Sequence, residues 1–296
     1  MNHSAGNALP PGRRMRDAVL QREITPFVGV YDVFSAGIAG RHFDGLFVSG
    51  FGFAASFYGL PDIGFVTWSD MVACVQRIRT VLPQHHVLVD IDDGYCDPEV
   101  ACHVVSLLEA SGASGVVLED QRRPRRCGHF EGKQVMELDE YVAKLRQVLA
   151  TRRDLFVIAR TDSSDPDDVE RRVLAFAEAG ADAVLVDGLK SLEDVRRLSA
   201  KVKIPFSFNQ IAGGKSPPCT LTELQRAGAR LVIYSTPCLF AAQDGIEKAM
   251  AGLRQADGSL AGSPVAVKDC TRILTENLER RAAPDVAVRL GDRSPA

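Results

Sequence analysis

Several signals are missing from this chain, and each absence excludes something. Its seven cysteines (Cys74, Cys96, Cys102, Cys127, Cys219, Cys238 and Cys270) form no CxxC pair, and their odd number leaves no complete set of internal disulfides. No apolar run approaches the roughly 20 residues of a membrane-spanning helix, and no signal-peptide core opens the sequence. There is no excess of charge of one sign either. Lys and Arg number 35 against 38 Asp and Glu, a net charge of −3, so nothing marks a nucleic-acid or membrane surface. A small diffusible partner and a cytoplasmic location with reduced thiols are the expectation. Finally, no GxGxxG follows the first strand-like segment, which counts against an open dinucleotide-binding sheet.

What is present is regular alternation. At 296 residues, with 46% hydrophobic and 25% charged side chains, the chain can bury a large core. Short apolar, β-branched runs recur at 27–30, 45–49, 87–91, 115–119, 155–160, 183–187, 204–208 and 230–234. Between them lie stretches such as SDMVACVQRIRTVL and DDVERRVLAFAEAGA, with apolar residues at i, i+3, i+4 and i+7, and Gly180 and Gly228 at helix-ending positions. Strands that read as continuously hydrophobic, each followed by a helix, indicate a parallel sheet covered on both faces. Eight such units predict a (β/α)₈ TIM barrel, an α/β fold of about 250 residues. The expected organisation is an arm and helix over 1–23, the catalytic barrel over 24–256, and a linker with an extra amphipathic helix over 257–296. A closed barrel has no inward place for that last helix, so it is expected outside the barrel or on a neighbouring subunit.

Barrel chemistry sits at the C-terminal strand ends. There the sequence places Tyr31–Asp32, Ser49–Gly50, Asp90–Asp92–Asp93, Glu119–Asp120, Arg160–Asp162, Asp187 and Asn209. Five strands therefore deliver carboxylates to one rim. Such a cluster needs a cation, and hard oxygen ligands favour Mg²⁺ or Mn²⁺. The competing reading is helix capping, which suits Asp162 and Asp187 in particular. Arg160 is either a counter-ion to these acids or a bidentate grip for an anionic substrate. The segment GVVLEDQRRPRRCGHFEGK then sets Cys127 among Arg122, Arg123, Arg125 and Arg126, with His129 close by. Positive neighbours favour a thiolate, so Cys127 is the one cysteine with an acid–base setting.

LEDQ…PRRCGH…GK, with DIDDGY, YGLPDIG, IARTD and NQIAGGKSP, resembles the isocitrate lyase/phosphoenolpyruvate mutase superfamily. The likeness is to its short-chain branch of methylisocitrate lyase, dimethylmalate lyase and carboxyphosphonoenolpyruvate phosphonomutase, and it runs in order from about residue 24 to 256. The resemblance implies a barrel whose last helix swaps between paired subunits, in a homotetramer. It implies Mg²⁺ near Asp90, with Asp92 and Glu119 acting through waters. It implies that Ser49, Gly50, Phe51 and Gly128 hold the substrate by backbone and side chain, that Arg160 takes its carboxylate, and that Asp62, Arg125 and Asn209 line the pocket. The catalytic set would be Cys127 as general acid/base on a gating loop, His129 beside it, Arg160, and Tyr31 or a metal-linked carboxylate as base.

The activity so implied is Mg²⁺-dependent carbon–carbon cleavage of a 2-hydroxy di- or tricarboxylate to a 2-oxoacid and a carboxylate. Phosphonomutase or 2-oxoacid hydrolase and decarboxylase chemistry are the alternatives. The chain departs from the family pattern at Arg125 (usually Lys), Asp187 and Ala212 (usually Glu), and Cys96 and Phe51 (usually Gly). The metal and Cys127 positions are kept while the walls change, which points to retained chemistry on a different substrate.

Overall fold

The computed structural model describes residues 9–125, 132–259 and 264–282. Strands β1 (Thr25–Val30), β2 (Gly45–Val48), β3 (His86–Asp90), β4 (Gly115–Glu119), β5 (Phe156–Thr161), β6 (Ala183–Val186), β7 (Phe206–Gln210) and β8 (Ala229–Tyr234) close a barrel in sequence order. Every neighbouring pair is parallel, β8 with β1 included. All eight predicted segments are strands. The helices are α1 (Pro11–Gln21), α2 (Val33–Ala39), α3 (Gly50–Phe53, continued by a π turn), α4 (Trp68–Val81), α5 (Pro98–Ala110), α6 (Leu138–Thr151), α7 (Pro166–Ala179), α8 (Leu192–Ser199), α9 (Leu221–Arg226), α10 (Pro237–Gln255) and α11 (Val267–Ala282).

Successive strand residues face opposite sides of a sheet, which explains why both faces had to be apolar. One set, including Phe27, Phe47, Leu88, Val117, Ile158 and Leu231, fills the barrel interior. The other, including Val28, Val48, Val89, Val116, Val157 and Val232, packs under the helices. Each such side chain, fully buried, contributes about 1.5–3 kcal/mol over its exposed state. Helix α7 stops where the sequence indicated, at Gly180 with φ +95°.

Helix α1 closes the N-terminal end. Its Met15 and Val19 belong to the interior cluster, so the helix acts as a plug across the barrel bottom. Gly12 allows that approach, since a Cβ there would lie 2.2 Å from the Asp154 carbonyl oxygen. The Arg13 amide donates to Asp154 Oδ2 at 2.8 Å, and Arg16 pairs with Asp182 at 3.1 Å.

The two C-terminal helices behave differently. Helix α11 lies against α2 and α4 of its own barrel, with Arg41 paired to Glu276 at 3.2 Å and buried Asn277 seated over Gly37. By contrast, none of the 19 residues of α10 is buried, and its Ile246 and Met250 are 61% and 56% exposed. The outside position expected for the extra helix is thus the one α11 takes. It is the eighth barrel helix, α10, that stands out beyond its first turn, where Cys238 packs against the core. Among the described residues no helix is long and apolar enough to cross a membrane.

Candidate active site

The strand ends deliver one polar layer above the apolar interior. Ser49, Asp90, Arg160, Asp187, Asn209 and Ser235 line a pocket at the C-terminal mouth, over a floor of Phe47, Val117, Leu185 and Ile233. Asp62, Phe51, Ile211 and Arg125 complete its wall. Ser49 is the N-cap of α3 and accepts a hydrogen bond from the Gly52 amide at 3.2 Å. Glycine is required in the next position for space. A Cβ on Gly50 would come within 3.2 Å of Asp90 Oδ2 and 3.5 Å of Asp92 Oδ1.

Two buried arginines organise the acids. Arg125, 2% exposed, reaches Asp62 at 2.5 Å, Asp92 at 2.9 Å and Glu119 at 3.1 Å with its three nitrogens. Arg160 pairs with Asp162 at 2.9 Å, Asp187 at 3.0 Å and Glu119 at 3.3 Å. Lys133 adds a third cation, 2.8 Å from Asp162. Asp187 is held from its other side by Asn209 Nδ2 at 2.8 Å, and Ser235 Oγ donates to Asn209 Oδ1 at 2.8 Å.

The capping alternative for Asp162 and Asp187 is therefore overturned. Asp165 caps α7 and Ser191 caps α8, and both carboxylates turn into the site, where Arg160 pairs with each. Behind the layer, Arg172 pairs with Asp120 at 3.1 Å, and Asp120 accepts the Asp162 amide at 3.0 Å.

Three cations against six carboxylates leave the pocket short of positive charge. The proton affinities reflect this. Burial, opposed by Arg125 and reinforced by Asp90, pushes Asp92 up to about 8. Burial likewise raises Asp90, against the pull of Arg160 and Arg125, and holds Glu119 well above the carboxylate range. Burial and the Asp162 charge lift Asp120 to about 6. Burial, then Asp32, raises the Tyr31 phenol, which keeps it a proton donor near neutrality.

Among the described residues no three Asp, Glu, His or Cys side chains are grouped as a ready metal cage. The Arg125 guanidinium occupies the space between Asp62, Asp92 and Glu119. The donor chemistry nevertheless fits a divalent cation. Asp90 has no ion pair among the described residues, and buried Glu119 Oε2 accepts no hydrogen bond. Hard, surplus carboxylate oxygens beside a pocket are what Mg²⁺ or Mn²⁺ binds while keeping several waters.

Of the residues singled out from sequence, Ser49, Phe51, Asp62, Asp90, Arg125, Arg160 and Asn209 meet in this pocket, with Gly50 against Asp90. Asp92 and Glu119 join it through Arg125. Tyr31 is not in the lining; it packs against Gly52. Cys127, Gly128 and His129 lie outside the described residues. Sequence reasoning missed Ser235, Lys133 and Tyr95, whose phenol burial and the neighbouring Asp92 and Asp90 hold well above its ordinary value. Ser235 could have been found, because it follows a strand as directly as Ser49 does. Ala212 is exposed, and its neighbour Ile211 faces the pocket instead.

A closed eight-stranded parallel barrel with a buried acid–arginine layer at its C-terminal mouth has the layout of a TIM-barrel enzyme. The profile of one family, phosphoenolpyruvate phosphomutase, matches residues 17–254. The petal death protein of Dianthus caryophyllus is 35% identical over 234 residues, covering 77% of this chain and 73% of that protein. The 2-methylisocitrate lyase of Aeropyrum pernix is 33% identical over 228 residues, covering 76% and 73%. The crystal structure of 2,3-dimethylmalate lyase superposes with a TM-score of 0.87 at 28% identity, covering 97% of this chain and all of that one. The chain belongs to the phosphoenolpyruvate phosphomutase family and is an enzyme of the isocitrate lyase/phosphoenolpyruvate mutase superfamily.

Proposed function

We propose that the protein is a Mg²⁺-dependent lyase that cleaves the C2–C3 bond of a 2-hydroxy di- or tricarboxylate, releasing a 2-oxoacid and a second carboxylate. The observation that carries the reading is the charge deficit of the pocket. Asp90 is buried with no ion pair among the described residues, next to a cleft with Ser49, Arg160 and Asn209 along its wall. The names of two relatives, 2-methylisocitrate lyase and 2,3-dimethylmalate lyase, agree with it. Mn²⁺ would satisfy the same oxygens.

Asp90 would hold the cation, with Asp92 and Glu119 reaching it through water. Bound there, the cation neutralises the acids and draws negative charge onto the substrate's oxygens. Ser49 and the Gly50 backbone would orient the hydroxy-acid end, and Arg160 would pair with its carboxylate. Loss of the hydroxyl proton to a site carboxylate lets the C2–C3 electron pair leave with the carbon beside the second carboxylate. The Cys127 thiol would then protonate that carbon. The segments on either side of Cys127 are anchored to site acids, through Arg125 on one side and Lys133 on the other, which supports this role. A thiol that meets the reacting carbon only after water is displaced avoids quenching by solvent.

The test incubates the protein with Mg²⁺ and methylisocitrate, isocitrate, dimethylmalate, citramalate, oxaloacetate and phosphonopyruvate, following 2-oxoacid by NMR. An EDTA-sensitive 2-oxoacid from a hydroxyacid is expected, with Cys127→Ser losing turnover but still binding product. Turnover of oxaloacetate or the phosphonate alone would overturn the lyase in favour of hydrolase or mutase chemistry.

We further propose that α10 packs on a second copy of the chain within a homotetramer. Beyond its first turn this 19-residue helix, with no buried residue, lacks the tertiary packing that normally stabilises a helix, and Ile246 and Met250 are its apolar anchors. The six described cysteines are free, in keeping with a reducing cytoplasm.

A further inference from the structure

The turn that carries Asp92 is built in an expensive conformation. Asp92, Gly94, Tyr95 and Cys96 have φ of +50°, +78°, +63° and +86°. Only one of the four is glycine. A side-chain-bearing residue in the left-handed region costs roughly 1–2 kcal/mol, and here three fall within five residues. Such a turn persists only where its surroundings over-determine it.

Part of the hold is visible around it. The Glu119 amide donates to the Asp92 carbonyl at 2.8 Å, the Tyr95 amide to Asp93 Oδ1 at 3.1 Å, and Arg123 grips both Asp93 oxygens at 2.9 Å. Two carbonyls of the turn, those of Asp93 and Cys96, are both taken by one side chain from another element. Lys144 of α6, only 3% exposed, donates through Nζ to Asp93 O at 3.0 Å and Cys96 O at 2.6 Å. A lysine buried to that degree is rare without a carboxylate partner, and here the acceptors found are peptide oxygens.

We propose that Lys144 is a positioning residue: it clamps the left-handed turn 92–96 so that Asp92 is aimed at Arg125 and the pocket. The clamp is a feature of the chain by itself; its consequence for metal affinity rests on the metal site proposed above. Cys96 adds to the strain that the clamp holds, since a glycine at that position would adopt φ +86° freely.

Two readouts test this on the full-length protein: hydrogen exchange of residues 91–97 without metal, and Mn²⁺ affinity by electron paramagnetic resonance. In Lys144→Met the turn is expected to exchange at least about tenfold faster while the rest of α6 stays protected. Mn²⁺ is expected to bind about 10- to 100-fold more weakly, the usual effect of losing a group that supports metal ligands. Adding Cys96→Gly is expected to restore both. Unchanged exchange of 91–97 in folded Lys144→Met, or no recovery in the double variant, would overturn the proposal. If Lys144→Met does not fold alone, folding rescued by Cys96→Gly supports the clamp, and failure of both variants to fold rejects it. Loosening of the turn in a protein whose wild type binds no Mn²⁺ would remove the metal site and leave the clamp standing.

Discussion

Asn209 Nδ2 donates to Asp187 Oδ1 at 2.8 Å, while the second Asp187 oxygen pairs with Arg160 at 3.0 Å. Asn209 is itself oriented by the Ser235 hydroxyl. The chain of contacts fixes the guanidinium plane that would meet a substrate carboxylate. Asn209→Ala leaves a buried carboxylate oxygen and a hydroxyl unpaired, at about 1–3 kcal/mol. The expected loss in kcat/KM is about 5- to 150-fold on whichever substrate is turned over, read by steady-state kinetics. Wild-type kcat/KM would show that Arg160 needs no such support.

Arg125 is the residue on which the acid cluster most depends for stability. Replacing it by Met strands Asp62, Asp92 and Glu119 without their shared counter-ion. Breaking a buried pair from one side costs about 3–5 kcal/mol. The Tm of Arg125→Met should fall by about 6–20 °C in metal-free buffer, by calorimetry. Arg125→Lys should recover part of that, because a single ammonium cannot span three acids.

Acid should weaken the fold through His86 at the barrel bottom. Burial, together with Arg14 and Arg22, lowers its imidazole from 6.5 to about 4. Between those values the unfolded chain binds a proton that the folded chain refuses, so stability falls as pH drops through the window. The contribution of this one group is at most about 3 kcal/mol. The raised Asp92 and Asp120 act in the opposite direction over the same window, so the readout is a difference: from pH 7.0 through 5.5 to 4.5 the wild-type urea midpoint should fall relative to that of His86→Asn. Parallel pH profiles in the two proteins would show that His86 contributes nothing.

Charge placed on α10 should separate subunits. Ile246→Glu with Met250→Glu is expected to shift the sedimentation coefficient from tetramer to a smaller species while circular dichroism of the barrel is kept. A wild-type protein that sediments as a monomer would overturn the packing proposed for that helix.

The strands were legible because burial on both faces demands unbroken apolar runs such as 115–119 and 155–160. The acid rim was legible for a related reason: polar residues directly after such runs must emerge at the mouth. Pairings were not. That Arg125 would thread between Asp62, Asp92 and Glu119, and so take much of the charge that acids alone would leave to a metal, depends on loops meeting in three dimensions. The capping reading of Asp162 and Asp187 failed because Asp165 and Ser191 stood closer to the true helix starts. The strained turn was hidden because Tyr95 and Cys96 carry no glycine signature. The stand-off of α10 was hidden too, since an amphipathic pattern is the same whichever chain covers it.

The plug made by Met15 and Val19 gives the barrel a single opening. On the proposed lyase reading, substrate, cation and both cleavage fragments would share one doorway. A fragment seated against Phe47 and Val117 on the pocket floor would be trapped behind its sibling, so departure would be ordered by depth rather than by affinity. Under steady state the deeper fragment would compete with incoming substrate for the emptied vessel. The outer fragment would not, and product-inhibition patterns would tell the two apart.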